Sequence, residues 1–219
     1  MKKIMFNDKY GLTQAVLEGR KTMTRRTIPQ GMIEKYYEWH ADVSSIGFAN
    51  IGMPLHIQTL QEAMILKAKY EVGDVIAIAQ AYKDVNCAGY PVDSRYDPFR
   101  TAYYSVGCVK ESNGGWNNKM FVKADLMPHH IKITNVHVER LQDCSDEDIL
   151  REGVLQSADG YDCYTFDGWV KRTKGKELPT QIYTKNRREA FATLIDKVSG
   201  KGTWEKNPWV FVYEFDLID

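Results

Sequence analysis

The stretch near the end of the chain constrains the fold most. Residues Trp209 to Ile218 read Trp-Val-Phe-Val-Tyr-Glu-Phe-Asp-Leu-Ile. In a strand, where successive side chains alternate, Trp209, Phe211, Tyr213, Phe215 and Leu217 share one face. A face this bulky must be covered by a second apolar layer, so the chain needs a sheet with a deep core on one side.

Other segments supply the rest of such a sheet. Lys3–Phe6 reads as a short strand, Val75–Ala79 as a buried strand after the Gly73-Asp74 turn, and Ile131–Leu141 as a long strand. Tyr10–Glu18 reads as a helix with Leu12, Ala15 and Val16 on one face and Gly19 as its stop. Ser145 starts another helix, with Asp148 placed to complete a capping box and acids filling the first turn. Asn186–Val198 reads as an amphipathic helix presenting Phe191, Leu194, Ile195 and Val198. Strands without βαβ alternation, and few helices, predict an α+β domain built on a small mixed β-barrel. Residues 30–68, 84–126 and 155–185 fit no element and are read as insertions in one domain spanning 1–219, each too short for its own core. Such insertions suit a protein partner.

Composition excludes several classes. The 219 residues carry 29 Lys+Arg and 29 Asp+Glu, with 43% hydrophobic and 26% charged residues. This is neither a disordered chain nor a membrane bundle, and a zero balance rules out coating nucleic acid by bulk charge. The apolar run after Lys2-Lys3 is too short for a signal peptide, which predicts a cytoplasmic protein. Four cysteines without C-x-x-C spacing predict reduced thiols.

Charge is nevertheless segregated along the chain. Arg20, Lys21, Arg25 and Arg26 form a basic cluster without an acid. Trp169–Arg188 carries a net +6, interleaved with Tyr161, Tyr164, Phe166, Trp169 and Tyr183, while Glu139–Glu152 carries −4. Such basic stretches with aromatic neighbours suit an anionic, base-bearing ligand. His137 and Glu139 share a strand face, but two ligands make no metal site, and no metal or other cofactor is expected.

Four blocks occur in order: Gly19-Arg20-Lys21-Thr22-Met23-Thr24-Arg25-Arg26; Val72-Gly73-Asp74-Val75-Ile76; Ile133 to Val154, ending Leu150-Arg151-Glu152-Gly153-Val154; and Gly202 to Ile218. Together they resemble the ASCH domain of the PUA-like superfamily, in its larger phage and prophage form, over 3–28, 71–82, 127–154 and 187–218. The resemblance implies a barrel with flanking helices and a cleft binding RNA or a modified nucleoside, with Arg20, Lys21, Thr22, Arg25 and Arg26 as ligand contacts. Some small members resemble amidohydrolases of N4-acetylcytidine, which implies Lys21, Thr24 and Glu152 as catalytic residues. Amide hydrolysis needs a nucleophile, a proton acceptor and a proton donor, and these three residue types supply them. The alternatives are a single-strand ribonuclease and a phage regulatory or host-interaction protein. Where larger members often carry Arg-Glu late in the strand after Gly-Asp, this chain has Ala79-Gln80.

Overall fold

A computed structural model describes residues 1–46, 59–80, 119–120, 123–156, 162–164, 182–184 and 186–219. Most of the insertion at 84–126 and of the basic, aromatic stretch at 161–185 lies outside these residues. Among them the elements are β1 (Lys2–Ile4), α1 (Leu12–Leu17), β2 (Met23–Thr27), α2 (Gln30–Ile46), α3 (Leu60–Ile65), β3 (Val75–Ile78), β4 (His130–Arg140), α4 (Asp146–Arg151), β5 (Leu155–Gln156), β6 (Asp162–Tyr164), β7 (Ile182–Thr184), α5 (Arg187–Ser199), α6 (Thr203–Lys206) and β8 (Trp209–Leu217). None of the described helices is long and apolar enough to cross a membrane.

The protein is a mixed helix–strand fold on a five-stranded sheet in the order β1-β3-β4-β8-β2. Strands β1 and β3 are parallel, and the other pairs are antiparallel. The sheet is open rather than a closed barrel: β1 and β2 are its two edges and do not pair. The nearest thing to a closure is a side chain, with Arg26 Nη2 donating to the Met5 carbonyl at 2.6 Å. A second sheet, β5-β6-β7, is small and antiparallel and lies in the segment expected to be an insertion. The 30–68 segment contains α2 and α3. The start of α3 is fixed by a reciprocal capping box between Thr59 and Glu62.

The aromatic face of β8 is where the core forms. Phe211 and Tyr213 rings lie 6.0 Å apart, Phe6 packs on Phe215 at 5.8 Å, and Tyr70 stands edge-on to Tyr213 at 5.2 Å. The long strand β4 contributes to this face with mixed parity, Ile131 and Ile133 first and Val136 and Val138 afterwards. A regular strand would send the two pairs to opposite faces. A bulge between Ile133 and Asn135 resets the alternation, so that Ile133 lies opposite Phe215 and Val136 opposite Tyr213. The same reset turns Asn135, His137 and Glu139 to the other face.

Local signals place the helix ends. Ser145 and Asp148 form the expected reciprocal box at the start of α4. Asn186 caps α5 through the Arg188 N–H. Helix α1 begins later than the periodicity suggests, because residues Asp8–Tyr10 form a 3-10 turn closed by Gly11 at φ 63°. On α5, Phe191 and Leu194 are buried and Ile195 is partly covered, but Val198 in the last turn is exposed. The buried stripe of α5 is therefore Ala190, Phe191 and Leu194, with the Trp204 ring of α6 edge-on to Phe191 at 5.9 Å.

Candidate active site

Two chain turns bring Lys21 and Glu152 together. After α1, the backbone N–H groups of Arg20 and Lys21 both donate to the Ala15 carbonyl at 2.9 Å, which folds the chain back on the helix. Thr22 N–H then donates to the Arg151 carbonyl at 3.0 Å, and Phe215 N–H donates to the Thr22 carbonyl at 2.9 Å. The Lys21–Thr22 step is thus fastened to α1, to the end of α4 and to β8. Glu152 is the C-cap residue of α4, and Gly153 follows at φ +100°. A Cβ on Gly153 would lie 3.7 Å from Lys21 Cβ and 3.6 Å from Ala15 Cβ. The left-handed conformation and the close approach of Lys21 both favour glycine there.

Lys21 Nζ donates to Glu152 Oε2 at 2.5 Å and to the Glu152 carbonyl at 2.8 Å. The other carboxylate oxygen, Oε1, accepts from Arg25 Nη1 at 3.2 Å. Arg25 also places Nε and Nη2 on Glu139 Oε1, both at 2.8 Å, and Nη2 on Asp148 Oδ2 at 3.2 Å. The side chains of Lys21, Arg25 and Glu152 are 2%, 1% and 6% exposed. The site is therefore an ionic network centred on the buried Lys21, Arg25 and Glu152, with Glu139 and Asp148 around Arg25, Arg151 Nη1 4.0 Å from Asp148, and His137 Nε2 at the rim 3.6 Å from Glu139.

A carboxylate at a helix C-terminus faces the negative end of the dipole. Glu152 is held there by its two cations. Burial pushes the Lys21 ammonium below its ordinary pKa, against the opposing pull of the Glu152 carboxylate. Burial also works against the Arg25 charge, but Glu152 and Glu139 outweigh it and hold Arg25 above its ordinary value. Lys21 is consequently the group in the network readiest to lose its proton.

The other expected residues are distributed as follows. Thr24 lies opposite Tyr213 in the β2–β8 ladder, so its side chain shares the aromatic face and is directed away from that of Arg25. Thr24 is buried. Among the described residues no hydrogen bond joins it to Lys21 or Glu152, which bond to each other instead. It is nevertheless on the side toward which Lys21 reaches: Lys21 Nζ stands 6.0 Å from the centre of the Phe6 ring, and Phe6 packs on Phe215 of that face. The Arg26 guanidinium lies 5.8 Å from the same ring.

The basic cluster does not form an open phosphate grip. Arg25 is turned inward because β4 and α4 bring three carboxylates to its side of β2, so it is not presented to a ligand. Arg20 pairs with Glu18 at 2.6 Å, Arg26 donates to Met5, and the Thr22 hydroxyl accepts from Arg151 Nε at 3.2 Å. His137 and Glu139 do share a face, as their spacing suggests, but among the described residues no group of three metal-type ligands occurs. Sequence reasoning missed the roles of Glu139 and Asp148 as Arg25 partners and of Phe6 as the ring beneath Lys21. The separation of acidic and basic segments along the chain was the available signal for the first. No family model matches the chain, and neither a curated protein nor a solved structure is found similar to it.

Proposed function

We propose that the open sheet is a variant of the PUA-like ASCH barrel, and that the chain binds a modified nucleoside beside Lys21 and hydrolyses an N4-acyl amide on it. The observation that carries this reading is the convergence of Lys21 and Glu152, 131 residues apart in sequence, at 2.5 Å in a buried site. Burial disfavours the lysine's charge and makes Lys21 a better proton acceptor than an exposed lysine, and the adjacent carboxylate stabilises the charge it gains.

In the first step Thr24 Oγ attacks the acyl carbon while its proton passes to neutral Lys21 Nζ. The bond from that carbon to N4 breaks, and the proton moves through the Lys21–Glu152 pair to N4, releasing the free amine of cytidine. Water then attacks the Thr24 ester, giving the carboxylic acid and restoring the hydroxyl. Closing the cleft on the ligand must bring Thr24 into line, since catalytic contacts tighten in the bound complex. The inward-facing Arg25 positions Glu152 and does not touch the ligand. That geometry supports a single nucleoside better than RNA coating or ribonuclease action, both of which require a phosphate grip.

The test is incubation of the full chain with N4-acetylcytidine, with cytidine and acetate followed by chromatography. Lys21→Met and Thr24→Ala should each lower kcat by roughly 10²–10⁴-fold, the usual worth of a positioned acid–base group or nucleophile, while circular dichroism shows a folded chain. A folded wild type that releases no cytidine sinks the reading. Fully active variants remove the two residues from their roles.

A further inference from the structure

One buried polar group on the aromatic face is not used by the scheme above. Gln80 is 8% exposed, and its side-chain oxygen is fully buried without a hydrogen-bond partner among the described residues. Its backbone N–H is occupied, donating to Met127 Sδ at 3.3 Å. Buried acceptors without donors are rare in native folds, because they have lost water and gained nothing in exchange. Such an atom is poised for a donor that arrives with a ligand.

Its position points the same way. The parallel ladder ends at the Ile4–Ile78 pair, which Ala79 N–H closes by donating to the Ile4 carbonyl at 2.8 Å. Phe6 and Gln80 each follow that pair by two residues, and extended alternation sends both side chains to the face of Ile4 and Ile78. Phe6 is the ring over which the Lys21 ammonium stands. The carboxamide and the Lys21 ammonium are thus directed to the same aromatic side of the sheet, one from the segment after β3 and the other from the segment before β2.

We propose that Gln80 is the base-recognition residue of this cleft, its oxygen accepting the exocyclic N–H of the ligand and its amide N–H donating to the neighbouring ring nitrogen. A carboxamide is suited to this because it offers one acceptor beside one donor, whereas a carboxylate offers acceptors only. The complementary edge is a donor next to a ring acceptor, as the N4 and N3 positions of a cytosine present, acylated or not. Side-chain amides read base edges in this bidentate way elsewhere. The inference rests on the nucleoside reading of the site and names the part of the ligand that selects it.

The experiment uses the full chain and two ligands that need no hydrolysis: cytidine and its smaller 4-deamino analogue, pyrimidin-2-one riboside. Affinities are measured by titration calorimetry for wild type, Gln80→Leu and Gln80→Met. Wild type should prefer cytidine by roughly tenfold or more, the discrimination a good bidentate pair supplies, and both variants should lose the preference. Each variant deletes a buried, unpartnered acceptor, so thermal melting should show stability equal to or above wild type. A preference that survives in both variants overturns the assignment, as does a wild type that binds neither ligand or binds both alike. Acyl release from N4-acetylcytidine is scored separately. A Gln80-dependent preference without acyl release leaves recognition standing and removes hydrolysis; acyl release with a Gln80-independent preference does the reverse.

Discussion

Replacing Glu152 by Gln removes one negative charge from the centre of the buried network and leaves its shape almost unchanged. Arg25 keeps Glu139 and Asp148, so its charge remains balanced. Lys21 keeps only the Glu152 backbone carbonyl at 2.8 Å. Stripping one partner from a buried pair usually costs 3–5 kcal/mol, and the retained carbonyl puts Glu152→Gln at the lower end, about 3 kcal/mol at pH 7. That is a large part of the 5–15 kcal/mol typical of a folded domain.

The variant's stability should depend on pH with a definite sign. Both contributions of Glu152 raise the Lys21 pKa, so their loss deepens the depression that burial already causes. Below the unfolded lysine pKa of about 10.4, the folded variant gives up its Lys21 proton before the unfolded chain does. The unfolded state binds the extra proton where the two differ, so stability rises with pH there, by at most about 1.4 kcal/mol per unit. Urea unfolding of Glu152→Gln between pH 6 and 9 should therefore show its stability rising with pH. Adding Lys21→Met to the variant should abolish the rise. A Glu152→Gln chain whose stability does not rise with pH, or whose rise persists in the double variant, would falsify the account of Lys21 as a burial-depressed base.

Two further outcomes test the surroundings of the site. Burial acts to raise the carboxyl groups of Glu139, Asp148 and Glu214, but hydrogen bonds from His137, Arg25, Ser145, Arg151 and Asn135 outweigh it and hold all three below their ordinary values. The stability they contribute is fully present above the unfolded carboxylate range and is lost as pH falls through their depressed folded values, so wild-type melting temperature should be level near neutrality and drop below about pH 4; a melting temperature unchanged to pH 2.5 would contradict this. Gly153→Ala should cost about 1–2 kcal/mol from the left-handed backbone alone, since the added carbon meets its neighbours at ordinary contact distance. Chemical denaturation would detect a loss of that size, and an alanine variant as stable as wild type would refute the strain.

Local features were readable in the sequence and long-range ones were not. The Ser145–Asp148 box, the Asn186 cap and the one-sided aromatics of β8 depend on residues a few positions apart, so spacing reveals them. The bulge in β4 left a trace as well, in the parity change from Ile131 and Ile133 to Val136 and Val138, although the strand reads as continuous. Helices α2 and α3 were missed because their segment mixes glycine, serine and tyrosine without a sustained apolar stripe. Arg25 illustrates the limit most clearly. By sequence it sits in a basic cluster and resembles a phosphate ligand, yet its partners come from β4 and α4, more than 110 residues away. Only the sheet order, which puts β2 beside β8 with α4 against it, makes Arg25 an internal ion. Lys21 and Glu152 came to attention together through the family resemblance, not through any pattern in the spacing between them.

The sheet order also dictates when the site can come into being. Thr24 lies in β2 and Lys21 two residues before that strand, and β2 is an edge whose ladder partner is β8, with Met23 opposite Glu214. During synthesis, therefore, β2 lacks its ladder partner until β8 has been made. Closing a loop of this length costs roughly 4–5 kcal/mol of chain entropy by the logarithmic rule, so the pairing forms only once β4 and β8 already offer a template. Lys21 is thus made well before β8 and fastened only after it, and a nascent chain stalled before β8 carries the residues of the candidate site without the site.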